Sequence, residues 1–430
     1  MKIAIVGSGV SGLTVAERLH RRHQVTLYEA EDRLGGHAYT LDLDLGADGT
    51  LAVDTGFMVF NDRNYPGFEG LLARLGIDRQ RSDMSFSVAD EAGRFEYTGA
   101  SLNGLFATRR NLFSPRFYRM LGDVVRFQRA GRELVRSERD PSLGEWLEEQ
   151  RFSPYFVERL IVPQLSAVWS ADPAELGNFS ARFLLTFFDR HGMLGLTGRP
   201  RWWTIPGGSR RYVMAIANAL GERVRVGTAV ERVARDEQGV TVYDRWGGVE
   251  RYDAVVLATH SDQALSLLEQ PTAAEQEVLG AIPYLDNEIV VHTDRNLLPR
   301  RRAAWASWNF HLLEEPKDRP TVTYYLNRLQ RLRCSHQVLA TLNRSEAINP
   351  NLILARFTFS HPVFTRAAVR AQQRFEEISG KNRTFYCGAY WFYGFHEDGV
   401  RSGLRVVNQI EGDQRWRLPL TAATSSIGGS

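Results

Sequence analysis

The first thirty residues alternate between short apolar runs and polar turns. KIAIVG is typical of a buried strand, SGLTVAERLHRR of a helix, and QVTLYEA of a second strand. A strand, a helix and a strand joined by so short a crossover predict a β-α-β unit with parallel strands. Three glycines, Gly7, Gly9 and Gly12, lie between the first strand and the helix.

Two later stretches show the same order of strand and helix. YDAVVLATHSDQAL places an apolar strand, Val255–Ala258, before a helix with a good N-cap. RTFYCGAYW is strand-like, and EDGVRSGLRVVNQI is helical with acidic residues at its start. Just before the first of these stretches, RVRVGTAVERVARDEQGVTVYD predicts antiparallel strands around a turn at DEQG. One nucleotide-binding domain is therefore assembled from segments that lie far apart in the chain.

These patterns predict an α/β fold with a Rossmann-like domain and an inserted mixed α+β substrate domain. The nucleotide-binding domain takes residues 1–84, 206–271 and 383–415. The substrate domain takes the insertions 85–205, rich in aromatic and helical pattern, and 272–382, which carries the strand-like NEIVVHTD. We expect residues 416–430 to form a disordered tail because they have little pattern.

Composition excludes several classes of function. The 430 residues are 43% hydrophobic and 24% charged, and a net charge of +3 is too small to argue for nucleic acid as a partner. The two cysteines, Cys334 and Cys387, form no CxxC motif, so no metal site is predicted. No signal peptide and no run of 18 apolar residues is present, which favours a cytoplasmic location. Peripheral contact with the inner membrane face stays open.

The glycine motif has a clear chemical rationale. Gly7 permits a tight turn, Gly9 lets backbone amides approach a pyrophosphate, and Gly12 allows close packing of helix on strand. The helix N-terminus, with Ser11 in its first turn, would direct its positive dipole end at the phosphates. Glu29 ends the second strand, where it can accept hydrogen bonds from a ribose.

The residues after Glu29 distinguish between dinucleotides. Arg33, Gly35, Gly36 and His37 resemble the pattern E-x-x-x-R-x-G-G-[RH]-x-x-[ST] of the flavin-containing amine oxidase and phytoene desaturase superfamily. VDTGFMVFN, IPGGSRRYV, GTAVERV and YCGAYWFYGFHEDGVRSG resemble further motifs of that superfamily in the same order. The resemblance implies that the discontinuous domain binds FAD, with Val230 in the strand that reaches the adenine side.

The C-terminal motif has its own rationale. A reduced flavin is anionic at its pyrimidine end, and a helix N-terminus near Gly399 would stabilise that charge. Besides Gly388, the resemblance places Glu397, Asp398 and Val400 beside the cofactor. His396 and Tyr393 are candidate active-site residues, whereas Glu397 and Asp398 are equally suited to cap the helix.

The sequence departs from the family in two places. Flavin amine oxidases usually carry a lysine near the flavin, but this chain has Asn287, Glu288 and Ile289 in that region, and its three lysines lie elsewhere. Amine oxidation is therefore less favoured. Cys387 precedes the C-terminal glycines in a strand-like context that differs from the family's linking motif, so we expect non-covalent FAD.

The chain resembles most closely a bacterial branch described as NAD/FAD-binding proteins, whose genes often lie beside cyclopropane-fatty-acid-synthase-like methyltransferases. This implies a fatty acyl or phospholipid substrate, methyl-branched or cyclopropane-bearing, and a lipid methyltransferase as partner. We hypothesise a desaturase or oxidase that transfers a hydride to FAD, with His396, Glu288 or Tyr393 as the base. The alternatives are an amine or amino-acid oxidase, an isoprenoid desaturase or isomerase, and a non-catalytic flavoprotein partner of the methyltransferase.

One stretch bears on membrane contact. NLFSPRFYRMLGDVVRFQRAGRELVRS mixes arginines with apolar positions, as helices on an anionic membrane surface do. A solvated basic helix face explains the same pattern.

Overall fold

The computed structural model describes residues 1–169, 172–195 and 198–412. The predicted tail, residues 416–430, lies outside the described residues. The strands are β1 Lys2–Val6, β2 Gln24–Tyr28, β3 Thr40–Asp44, β4 Thr50–Asp54, β5 Phe60–Asn61, β6 Gln80–Arg81, β7 Phe86–Asp90, β8 Glu96–Thr98, β9 Trp202–Thr204, β10 Val224–Arg225, β11 Val230–Asp236, β12 Gly239–Asp244, β13 Val249–Tyr252, β14 Ala254–Leu257, β15 Tyr284–His292, β16 Trp308–Leu312, β17 Val322–Tyr325, β18 Leu339–Leu342, β19 Ile353–Pro362 and β20 Thr384–Tyr386.

The described residues also form helices. They are α1 Val10–Leu19, α2 Pro66–Arg74, α3 Leu102–Leu105, α4 Pro115–Arg136, α5 Leu143–Glu149, α6 Pro154–Phe156, α7 Val162–Trp169, α8 Ala181–Arg190, α9 Arg210–Leu220, α10 Ser261–Leu267, α11 Ala273–Gly280, α12 Leu326–Leu329, α13 Arg366–Gln373, α14 Phe375–Ile378 and α15 His396–Glu411. Among the described residues, no helix is long and apolar enough to cross a bilayer.

The chain divides into two compact units. The first unit comprises Met1–Gly36, Tyr212–Ala281 and the residues from Arg370 onward, and the second comprises His37–Arg211 and Ile282–Val369. The predicted domains have the same nested order but different bounds. Residues 37–84 illustrate the difference, since β5 and β6 in this stretch both pair with β9 of the second unit.

A five-stranded parallel sheet forms the centre of the first unit, in the order β10-β2-β1-β14-β20. Ile5 of β1 lies between Leu27 and Val256 of its neighbours, and all three side chains are fully buried. Burial on both faces explains why these strands are continuous apolar runs in the sequence. Helix α1 packs against β1 and α15. The predicted α/β fold with a discontinuous Rossmann-like domain is confirmed.

Two smaller features complete the first unit. Strands β11, β12 and β13 form the predicted antiparallel sheet, and Asp236 closes the turn by accepting hydrogen bonds from the amides of Gln238 and Gly239 at 2.7 and 2.8 Å.

A buried ion pair joins Arg235 to Glu275 at 2.6 Å, and the hydroxyl of Tyr386 donates to the same carboxylate at 2.5 Å. Because its partners compensate the buried charge, the Glu275 carboxylate is ionised, with its pKa below the usual value.

The second unit is built on a mixed seven-stranded sheet in the order β19-β15-β18-β17-β16-β7-β8. All its neighbouring strands are antiparallel except β16 and β7, which pair in parallel. The inserted helices have an aromatic core, in which the ring of Phe127 packs edge-on against Trp146 and Phe156. This core accounts for much of the aromatic pattern seen in the sequence of residues 85–205.

Asp54, at the end of β4, forms hydrogen bonds to Ser209, which follows the IPGG loop (residues 205–208) of the second unit. Its carboxylate accepts hydrogen bonds from the hydroxyls of Thr40 and Ser209 at 2.6 and 2.8 Å and from the Ser209 amide at 2.9 Å. The Gln330 side chain pairs with the Asp54 backbone amide and carbonyl at 2.8 and 2.7 Å. Burial of the carboxyl outweighs these bonds and raises the pKa of Asp54 to about 6.

Candidate functional site

The glycine turn after β1 can be made only by residues without a side chain at two positions. Gly7 has a φ of +105°, and a Cβ there would lie 2.8 Å from the carbonyl oxygen of Ala258. A Cβ on Gly12 would lie 2.0 Å from the Gly7 carbonyl oxygen. These contacts bring the first turn of α1 directly against the end of β1, as the sequence predicts.

Gly9 differs from its neighbours because open space surrounds it. No heavy atom lies within 4 Å of a Cβ built at this position, and its backbone is extended, with φ of −62° and ψ of 170°. Helix α1 begins at the next residue, and Ser11 lies buried in its first turn. The space beside Gly9 therefore meets the amides and the positive dipole end of a helix, where a phosphate group is stabilised.

Glu29 is tied to the same loop. Its carboxylate accepts hydrogen bonds from the Ser8 amide at 2.9 Å, from the Ser8 hydroxyl, and from the Glu31 amide at 3.0 Å. The Ser8 hydroxyl oxygen in turn accepts a hydrogen bond from the Gly35 amide at 3.0 Å. The predicted contact between Glu29 and a ribose stays a prediction, and the structure adds a role in holding the glycine loop.

The second glycine pair folds over the first motif. Gly35 and Gly36 have φ angles of +110° and +56°, which favour glycine. A Cβ on Gly36 would lie 3.4 Å from Cα of Gly9, and Arg33 donates to the Gly36 carbonyl at 2.8 Å. Arg33 therefore fixes the turn that lies against Gly9.

The C-terminal motif packs against α1 within the first unit. Helix α15 begins at His396, three residues before the predicted start near Gly399. A Cβ on Gly399 would lie 2.5 Å from the Val10 side chain. Because of this contact, only a glycine allows the N-terminal turn of α15 to approach the N-terminal turn of α1 so closely.

Of the two acidic residues in this motif, Asp398 has a defined role in the start of α15, and Glu397 is buried. The Asp398 carboxylate accepts hydrogen bonds from the amides of Tyr393 and Phe395 at 3.2 and 3.0 Å, so it caps α15. Glu397 and Val400 are buried, as is Val230 at the start of β11. The Gly388 amide donates to the Ser402 hydroxyl at 3.1 Å. Cofactor contacts of these residues stay predictions.

His396 is buried beside an aromatic residue that the sequence does not single out. The hydroxyl of Tyr212 lies 2.8 Å from Nε2 of His396, and both side chains are buried. Loss of solvation lowers the pKa of His396 to about 3. The imidazole is therefore neutral at pH 7 and a weak base.

His37, which follows the second glycine pair, lies in the second unit. There its ring stacks on Phe359 with a centroid distance of 4.5 Å and lies 5.3 Å from the ring of His361. Tyr39 packs edge-on against Phe357 at 5.3 Å. These five side chains form a continuous group of rings on one face of β19, which we call the aromatic face.

A chain of hydrogen bonds fixes the orientation of the His361 imidazole on the aromatic face. The Glu288 amide donates to Asn343 Oδ1 at 3.0 Å, so Nδ2 of Asn343 is the donor to Asn287 Oδ1 at 2.9 Å. Nδ2 of Asn287 then donates to Nδ1 of His361 at 3.1 Å. With Nδ1 accepting, a neutral His361 carries its proton on Nε2 and is a hydrogen-bond donor there.

Glu288 points to the other side of β15. Its neighbours Asn287 and Ile289 are buried, whereas the Glu288 side chain is 39% exposed and pairs with Arg356 at 3.3 Å. Strand alternation therefore puts its carboxylate on the face opposite to the aromatic face. This placement favours a structural role, and we leave Glu288 out of the mechanism.

The structure also shows the surroundings of Lys317 and Cys387. Lys317, the nearest of the three lysines in sequence to Asn287, pairs with Glu346 at 2.7 Å. Cys387 is completely buried, and burial raises the pKa of its thiol. A buried thiol with a raised pKa is unreactive, which fits the prediction of non-covalent cofactor binding.

Taken together, the two glycine motifs, the open space at Gly9 and the close approach of α1 and α15 define the first unit as a dinucleotide-binding unit. The model of the flavin containing amine oxidoreductase family matches residues 10–341, more than half of the chain. The chain therefore belongs to this family. FAD is its cofactor, and the space beside Gly9 fits the pyrophosphate of that group.

Curated relatives agree with this assignment. A Mycobacterium tuberculosis protein with the provisional name flavin-containing monoamine oxidase AofH is 25% identical over 65% of this chain and 61% of its own length. A coproporphyrinogen III oxidase from the same species is 28% identical, covering 64% of each chain. The chain thus spans less than two thirds of the length of these relatives.

Solved structures share the fold at low sequence identity. Cyclohexylamine oxidase from Brevibacterium oxydans matches with a TM-score of 0.67 and 16% identity, covering 96% of this chain and 99% of that chain. The CLA-producing fatty acid isomerase from P. acnes matches with a TM-score of 0.68 and 15% identity, covering 95% and 98%. These matches show that the chain has the fold of these two proteins.

Proposed function

We propose that this oxidoreductase removes a hydride from a fatty acyl chain, beside an existing double bond or a methyl branch. The carrying observation is the chemistry of the aromatic face. Its rings are His37, Tyr39, Phe357, Phe359 and His361, and Asn287, which donates to His361, belongs to the stretch where the family resemblance would place the lysine of an amine oxidase. Rings suit an apolar chain, and none of these side chains is a carboxylate that would pair with an ammonium group.

The tautomer of His361 supports the same substrate class. As a donor at Nε2, this imidazole matches a carbonyl or ester oxygen better than it matches an ammonium group, which is itself a donor. Asn287 and Asn343 hold it in that state. A histidine fixed in this way orients a substrate and does not abstract its proton.

The reaction we propose is a two-electron oxidation. FAD, when bound, supplies the acceptor for the hydride. One carbon of the acyl chain loses a hydride, the neighbouring carbon loses a proton, and the electrons of the second C–H bond form the new double bond. Of the three candidate bases that the sequence suggests, His396 has a lowered pKa and Glu288 lies on the face of β15 opposite to the aromatic face, while Tyr393 would have to act as its phenolate. Oxygen or another acceptor must then take up the electrons.

The experiment is an anaerobic reduction of the purified, FAD-loaded protein. We expect a methylated monounsaturated phospholipid to bleach the visible flavin absorbance and to acquire one more double bond by mass spectrometry. Phe357→Ser should slow the bleaching about tenfold by removing one ring from the aromatic face. Leu354→Ser, at an exposed position on the opposite face of β19, is the matched control and should leave the rate unchanged.

Amine oxidation is the second candidate, because a curated relative carries the name of a monoamine oxidase. Rapid bleaching by a panel of amines, without bleaching by phospholipids, would refute the acyl proposal and support this one. Bleaching by neither would favour a non-catalytic flavoprotein, for which the lipid methyltransferase stays the predicted partner. Conversion of an isoprenoid substrate would favour the desaturase or isomerase alternative.

A further inference from the structure

The second unit presents large apolar side chains to solvent along one short segment. Leu102 of α3 is 79% exposed, and Phe113, in the turn before α4, is 86% exposed. Leu112 and Tyr118 are exposed as well. We call residues 102–119 the basic-apolar segment.

Local anchors hold these side chains outward. Asn111 is buried, and its backbone amide donates to the Thr108 carbonyl at 2.9 Å. These two features hold the turn against the protein interior. Ser114 caps α4 by accepting a hydrogen bond from the Phe117 amide at 3.3 Å, and Phe117 is fully buried. Because Phe113 lies between these two anchors, it cannot reach the core without breaking the cap.

The charges of the segment have a single sign. Residues 97–122 contain no aspartate or glutamate, and Arg109, Arg110, Arg116 and Arg119 are all exposed. Arg109 donates to the Phe106 carbonyl and the Asn103 side chain at 3.1 and 2.8 Å. In the described part of the chain, no carboxylate forms an ion pair with any of the four arginines.

We propose that the basic-apolar segment docks on the surface of an anionic phospholipid bilayer. In this arrangement Phe113 and Leu112 enter the interface, and the arginines contact the lipid phosphates. A specific protein partner would require a contiguous apolar centre with a polar rim, whereas here single apolar side chains alternate with arginines that form no ion pair among the described residues. The proposal is independent of the substrate proposed above.

Vesicle co-sedimentation of the FAD-loaded full chain tests the proposal. We expect tighter binding to vesicles of phosphatidylcholine with phosphatidylglycerol than to phosphatidylcholine alone, and weaker binding as salt rises. Phe113→Ser should weaken binding about tenfold, and each of Arg110→Gln and Arg116→Gln about fivefold. FAD content and melting temperature check that each variant is folded.

Matched controls come from the first unit. Val249→Ser replaces a side chain that is 62% exposed, and Arg251→Gln replaces an exposed arginine that pairs with Asp236. Both should bind vesicles like the parent protein. Equal affinity for the two vesicle types, or no loss with Phe113→Ser, would overturn the proposal. Concentration-dependent dimers that Phe113→Ser abolishes, without vesicle binding, would assign the segment to a second copy of the chain instead.

Discussion

Replacement of Gly9 and of Gly12 by alanine should separate cofactor binding from folding. Both residues belong to the same motif, and both substitutions add one methyl group. At Gly12 the added Cβ would lie 2.0 Å from the Gly7 carbonyl oxygen, which is well inside a normal contact. At Gly9 the added Cβ meets no protein atom within 4 Å.

The expected magnitudes follow from these distances. To relieve the contact at Gly12, packed backbone must move by about 1 Å, which destabilises the fold by roughly 1–3 kcal/mol. The backbone at Gly9 is compatible with alanine, so the unfolding free energy of the apoprotein should change by less than about 1 kcal/mol. The methyl group would instead occupy space beside the helix amides and remove a charge-assisted hydrogen bond to phosphate. A loss of about 1.5–3 kcal/mol weakens FAD binding roughly ten- to hundredfold.

Two measurements check this reasoning, namely the melting temperature of each apoprotein and a titration with FAD followed by flavin fluorescence. Gly9→Ala should melt with the parent apoprotein and bind FAD weakly, whereas Gly12→Ala should melt earlier. Parental FAD affinity in Gly9→Ala would refute the assignment of the space beside Gly9 to the pyrophosphate. An unchanged melting temperature in Gly12→Ala would refute the steric argument.

Three further predictions concern single residues. The pKa of Asp54 is about 6 in the folded chain and near 4 when unfolded, so its protonation stabilises the fold at low pH and this stability is lost as pH rises from about 4 to 6. Between pH 4 and pH 6 the unfolding free energy should therefore fall by up to about 3 kcal/mol in the parent protein, and Asp54→Asn should remove this fall. Denaturation across this pH range measures it, and an unchanged pH dependence in Asp54→Asn would show that another group titrates. Glu275→Gln should cost roughly 3 kcal/mol because it leaves the buried Arg235 without a counter-charge, and denaturant unfolding measures it, with exposed Glu269→Gln as the control. Acid precipitation should release all FAD into the supernatant, and flavin retained in the pellet that disappears in Cys387→Ser would establish a covalent link.

Much of the first unit is predictable because its signals are local. The strand, glycine turn and helix of residues 2–19 follow one another directly, and each element has its own pattern of burial. The same holds for β14 and α10 and for the turn at Asp236. Unit boundaries are less predictable, because they depend on pairings such as β5 with β9 that join residues more than a hundred positions apart.

The aromatic face could not be read from the sequence for a similar reason. Asn287 and His361 are 74 residues apart, and only the register of β15 with β19 brings them together. Tyr212 and His396 are 184 residues apart. The sequence indicates Asn287 as a departure from the family, but the partner that gives it a role is set by strand pairing.

The discontinuous parallel sheet also constrains how the protein can be made. Strand β20 and helix α15 begin at residues 384 and 396, so they leave the ribosome long after β1 and β2. At 5–20 residues per second, α1 has no α15 to cover it for about 20 to 75 s, and the edge of β14 stays open for about 6 to 25 s until β20 is made. The second unit can complete its sheet before then, since β19 ends at residue 362. In the nascent chain, the inserted second unit can therefore fold before the cofactor-binding unit is complete. The strand edges that stay exposed in the meantime need protection from aggregation.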